Sequence, residues 1–142
     1  MGAKRAERQI VVEGTPQECF DALLDFESYP DWQSAVRSAE ILDEGDAVRV
    51  AFEIDAKIKT VGYVLDYHLD GPELLSWDYV EGDVKAIEGE YRLEPLDGDR
   101  TLATYELGID PGRWVPGKVI SVLRDQVMKG SVEELRHHVE GG

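Results

Sequence analysis

"PGKVISVLRDQVMKGSVEELRHHVE", residues 116–140, decides the fold. Proline at its first position and an unbroken run of helix-compatible residues read as one long terminal helix. At 1.5 Å per residue it spans roughly 37 Å. Its apolar residues fall in two stripes, Val119, Leu123 and Val127 on one side and Met128, Val132, Leu135 and Val139 on another. Either the helix bends near Gly130 or its two ends face different partners. A compromise phase through Ile120, Val127, Ser131 and Leu135 would turn Arg124 inward as well.

The sequence before this helix supplies a sheet for it to cover. Residues 8–13 read as a first strand, and six more candidates follow at about 36–43, 47–55, 59–69, 73–81, 85–94 and 101–110. Turn signals separate most of them: "DEGD", "DGP", "EGD" and "DGD". Such short connections predict an antiparallel meander rather than parallel β-α-β units. Alternation predicts the faces. Val61, Tyr63, Leu65, Tyr67 and Leu69 share one side, opposite Asp66, His68 and Asp70; Ile87, Gly89, Tyr91 and Leu93 oppose Glu88, Glu90, Arg92 and Glu94. Val48, Val50, Phe52 and Ile54, then Ala103, Tyr105, Leu107 and Ile109, continue the dry side. Seven strands at ~4.8 Å spacing are about 30 Å across, which the terminal helix alone is long enough to cover.

Between the first two strands, "TPQE" starts a helix, with Thr15 as N-cap, Pro16 at the first helical position and Glu18 completing a capping box. Phe20, Leu23 and Leu24 make its apolar face. Pro30, lacking an N–H, is expected to end this helical stretch and to push Tyr29 out of the helical region.

The 142 residues form one domain, residues 1–142. A formal charge of −15 argues against nucleic acid and anionic membrane surfaces as partners. Cys19 is the single cysteine, so no internal disulfide is available and a reducing, cytoplasmic setting is expected. There is no membrane-length apolar run, hence no expected integral membrane association. His68, His137 and His138 lack partners at metal-ligand spacing, and no metal or cofactor is expected. Asparagine is absent, so a pocket amide side chain would have to come from one of four glutamines.

Four tyrosines on the dry face, Tyr63, Tyr67, Tyr91 and Tyr105, suit a mostly apolar cavity with a few polar anchors. Phe52 and Trp77 join them from neighbouring strands, and Leu123 and Val127 from the helix. Arg124 is a candidate to meet a carboxylate, carbonyl or enolate of a ligand. Trp32 and Trp114, in proline-stiffened loops, are candidate gates at the cavity mouth. No catalytic residue is assigned.

The order strand, helix, six strands, long helix resembles the START-like superfamily and, within it, the polyketide cyclase/dehydrase group. The resemblance covers residues 8–140 and rests on "DFESYPDW" (25–32), "LSWDYVEG" (75–82), "EGEYRLEP" (88–95) and "DPGRWVPG" (110–117). It implies the α+β helix-grip fold, a seven-stranded curved antiparallel sheet wrapped around the C-terminal helix, with short helices after the first strand. It also implies a cavity for a hydrophobic small molecule: a polyketide, quinone, isoprenoid or lipid. Aromatase/cyclase relatives use a pocket arginine on a middle strand and an asparagine on the last helix. This chain has Lys57 and Lys59, then Asp125 and Ser131, in those regions. Three functions follow: a ligand-binding protein, a cyclase/dehydrase-type enzyme in the same cavity, or a protein-interaction module with a vestigial cavity. A monomer or weak homodimer is expected.

Overall fold

The structure, a computed structural model, describes residues 5–57, 59–113 and 115–141. Strand β1 (Arg5–Val12) leads through helix α1 (Pro16–Leu24), a 3-10 turn (Phe26–Ser28) and the one-turn helix α2 (Tyr29–Trp32) to β2 (Val36–Glu44). Then come β3 (Val48–Asp55), β4 (Thr60–Asp70), β5 (Leu74–Gly82), β6 (Ala86–Leu96) and β7 (Arg100–Asp110). The chain finishes with α3 (Gly117–Lys129), a π-helical turn (Gly130–Glu134) and α4 (Leu135–Gly141).

All strands join one antiparallel sheet in the order β1-β7-β6-β5-β4-β3-β2. The hairpin meander from β2 to β7 is the one expected from the Asp/Gly turns. Register shifts in β2–β3 and between Val64 and Leu65 of β4–β5 bend the sheet, because each bulge adds local twist. The bent sheet curls around the terminal helix, as the helix-grip expectation required.

Local chemistry sets the helix starts. The Thr15 hydroxyl accepts the Glu18 N–H at 3.2 Å while the Glu18 carboxylate accepts the Thr15 N–H at 3.0 Å. Pro30 behaves differently from expectation. Tyr29 keeps helical angles (φ −50°, ψ −40°), and Pro30 sits in the first turn of α2 rather than ending a helix. A first turn has no use for the missing N–H. Tyr29 is also anchored in the core, where its hydroxyl donates to the Leu23 carbonyl at 2.6 Å.

The two-stripe problem of the last helix resolves at the π turn. An extra residue per turn resets the helical phase. Val119, Ile120, Leu123 and Met128 are buried before it, Val132 within it and Leu135 after it. The Leu135 N–H bonds to the Val132 carbonyl. The Ser131 carbonyl accepts the Tyr91 hydroxyl at 3.0 Å, so the sheet is stitched to the helix at that turn. The Ser131 hydroxyl donates back to the Val127 carbonyl at 2.7 Å.

The convex face is an ion-pair lattice. Arg92 of β6 reaches Glu90 at 2.7 Å, Glu7 of β1 at 3.0 Å and Glu106 of β7 at 3.3 Å. Arg5 adds a 2.9 Å contact to Glu106. Farther along, Arg49 grips Asp66 with two hydrogen bonds of 2.8 and 3.0 Å.

Candidate functional site

The concave face and the terminal helix enclose a cavity of about 40 Å³. Each strand from β2 to β7 contributes to its wall through the inward half of its alternation. Phe52 and Ile54 come from β3; Tyr63, Leu65 and Tyr67 from β4; Trp77 from β5. Ile87 and Tyr91 come from β6, and Tyr105 and Leu107 from β7. Val127 and Ser131 close it from the helix, with Tyr29 from α2, Gln33 and Ala35 from the segment joining α2 to β2, and Val36 from the start of β2.

Trp77 organises the floor. It lies opposite Gly89 in the β5–β6 register. A methyl group on Gly89 would overlap the Glu106 carbonyl and stand 2.7 Å from the indole, so glycine is what lets the ring lie flat on the sheet. Tyr67, Tyr91 and Tyr105 surround it at ring-centroid distances of 5.6, 5.7 and 5.4 Å. The aromatic run continues through Phe52 and Tyr29 to Trp32, which stacks on His138 at 4.7 Å with the planes 4° apart.

The hydroxyls differ in how they are satisfied. Those of Tyr29 and Tyr91 donate to the backbone carbonyls already named, and that of Tyr105 lies beside the Ser131 hydroxyl. Among the described residues, the Tyr63 and Tyr67 hydroxyls have no protein partner, although both residues are buried. Burial raises the pKa of Tyr29, Tyr63, Tyr67, Tyr91 and Tyr105 above the usual phenol value, with neighbouring tyrosines adding to it in most of them. These groups therefore stay neutral over the physiological range, able to donate or accept hydrogen bonds but not to act as bases. No carboxylate, imidazole, thiol, lysine or arginine is among the described lining residues.

The structure thus brings Phe52, Tyr63, Tyr67, Trp77, Tyr91, Tyr105 and Val127 to the cavity wall. Leu123 is buried in the core behind it. Arg124 is half-buried and does not line the cavity, because Leu123 takes the inward direction of α3. Trp32 does not line it either and packs between Tyr29 and His138. Trp114 lies outside the described residues. Sequence reasoning missed Gln33, one of the four available amides, which is 6% exposed and faces the void. The other correction is size: a water needs ~10–15 Å³ of such space, so the cavity as it stands holds about three waters and no larger guest.

Cys19 is not at this site; burial raises its thiol to about 11. Among the described residues no group of acidic, His or Cys side chains is placed to hold a metal ion. No helix among them is long and apolar enough to cross a membrane.

A curved seven-stranded sheet gripping a long terminal helix around an aromatic-lined void defines a START-type protein. The chain belongs to the polyketide cyclase/dehydrase and lipid transport family, which it matches over residues 3–140. Among curated proteins none matches it. Similar solved structures include a START superfamily protein from Mycobacterium smegmatis (TM-score 0.83, 18% identity, 96% of this chain and 97% of that one). The Zhui aromatase/cyclase from Streptomyces sp. R1128 superposes with a TM-score of 0.82 at 19% identity, over 96% and 93% of the two chains. A protein from Thermus thermophilus does so with 0.86 at 18%, over 97% and 98%. At these identities the likeness is one of fold.

Proposed function

We propose that the protein binds a small, uncharged, largely apolar molecule bearing at least one polar oxygen, between the concave sheet and the terminal helix. The observation that carries this reading is the pair of tyrosines, Tyr63 and Tyr67, that line the void and whose hydroxyls have no hydrogen-bond partner among the described residues. Phenylalanine would fill the same space without presenting a hydroxyl to the void. Apolar burial supplies the driving force, at roughly 25 cal/mol per Å² before association costs. A charged ligand is disfavoured, since no lining cation or anion would compensate its desolvation.

Admission of the guest requires a wall to move. The sheet walls are tied by continuous ladders, whereas residues 30–34 lie outside them and meet the terminal helix mainly through side chains. The Ser34 N–H donates to Glu134 at 3.0 Å, and Trp32 stacks on His138. This segment is the wall that opens.

Native mass spectrometry of freshly purified protein tests the reading: a retained neutral mass of a few hundred daltons is expected. Protein that carries no mass, and takes up none from a panel of neutral aromatics and lipids, would refute it. A Trp32→Ala variant should load and release such a guest several-fold faster at similar affinity, measured by stopped-flow quenching of the remaining tryptophans. Unchanged rates would free Trp32 of the gating role.

A further inference from the structure

Gln33 is the lining residue whose presence neither the sheet nor the core explains. Its backbone is fully engaged, the N–H donating to the Tyr29 carbonyl at 2.7 Å and its carbonyl accepting the Val36 N–H at 3.0 Å. Its side chain lines the cavity, and among the described residues the amide has no hydrogen-bond partner. Methionine or leucine would fill that corner with no polar group to satisfy.

The π turn makes room for this amide. A methyl group on Gly130 would stand 2.9 Å from Gln33 Oε1 and 3.0 Å from Glu134 Oε1, closer than packed carbons approach such atoms. Glu134, on the same turn, fixes the next residue by accepting the Ser34 N–H. The amide oxygen therefore abuts the helix at Gly130, yet among the described residues no hydrogen bond takes up the amide, which shares the cavity with Tyr63 and Tyr67. An amide both donates and accepts, as does a phenol, so the three groups together suit an oxygen that is either hydroxyl or carbonyl.

Resting on the binding reading above, we propose that Gln33 determines the ligand preference of the cavity: its amide, with the Tyr63 and Tyr67 hydroxyls, receives the uncharged oxygen of the guest. A plain hydrocarbon leaves all three groups unpaired, which is the situation in which polar sites discriminate most. A carboxylate finds no cation there.

Phenol, benzene and benzoate, titrated at neutral pH and followed by amide chemical shifts, form the test. The wild-type protein should hold phenol about tenfold more tightly than benzene, one hydrogen bond's worth, and should not take up benzoate. Gln33→Met should bind benzene at least as well and lose the preference for phenol. Gly130→Ala keeps the amide but displaces it, and should lose part of the preference while circular dichroism stays unchanged. An intact phenol preference in Gln33→Met overturns the assignment of Gln33 and leaves the binding reading standing. Equal wild-type affinity for phenol and benzene does the same. Failure of the wild-type protein to bind any of the three, at concentrations up to their solubility, removes both.

Discussion

The two faces of the sheet are built from alternate residues of the same strands, yet they rely on opposite chemistry. On β6, Tyr91 points to the void and Arg92 to solvent; on β7, Tyr105 points in and Glu106 out. The concave face excludes charge and carries hydroxyls whose protons are held more tightly than in water. The convex face concentrates charge in partial contact with water and salt. The first is where the buried apolar side chains are concentrated. The second pairs charged side chains in a chain whose formal net charge is −15.

The two faces should therefore fail at opposite ends of the pH scale, and the largest effect is alkaline. A tyrosine with a raised folded-state pKa contributes stability that is complete below the unfolded value near 10 and is lost as pH rises through the folded value. With Tyr29, Tyr63, Tyr67, Tyr91 and Tyr105 acting together, stability should fall by up to about 7 kcal/mol per pH unit above pH ~10. Urea unfolding monitored with tyrosinate absorbance checks this; a gradual rise in tyrosinate before unfolding would break the comparison. On the acid side the sign reverses. Hydrogen bonds from Arg5 and Arg92 hold Glu106 below the usual carboxylate range, and Arg49 does the same to Asp66. Their stability is present above pH ~4 and lost below it. The loss should be shallow and weakened further by salt, because both carboxylates meet solvent.

Substitutions sharpen the contrast. Trp77→Ala should cost about 3–5 kcal/mol as the floor of the cavity collapses or opens. Gly89→Ala should cost about 1–3 kcal/mol, since the neighbouring strand's carbonyl cannot retreat from the new methyl. On the other face, Arg92→Ala should cost less than about 1 kcal/mol, vanishing at high salt, despite removing three ion-pair contacts. Chemical denaturation of the three variants orders them; an Arg92→Ala loss as large as that of Trp77→Ala would mean the lattice, not the core, supports the sheet.

Most of this contrast was legible in the sequence because a period of two is unambiguous when one side is Val, Tyr and Leu and the other Asp, Glu and Arg. The capping box at Thr15 and Glu18 was equally plain. The terminal helix showed its break as two stripes that no single 3.6-residue phase could join, but the π turn has no side-chain signature of its own. Arg124 was placed inward by a phase that the turn makes unnecessary. Pro30 was read as a stop because the rule for proline concerns a missing N–H, which is harmless in a first turn. Gln33 gives no local signal, since the space its side chain occupies depends on Gly130, almost a hundred residues away. The cavity's small volume depends on rotamers, which periodicity does not describe.

The helical turn at Gly130–Glu134 accommodates one residue more than a uniform rod of the same rise would. A residue added or removed within α3 or α4, with no such turn to absorb it, would rotate everything beyond it by about 100°. The wide turn is what lets Leu123 and Leu135 face the same sheet across one surplus residue.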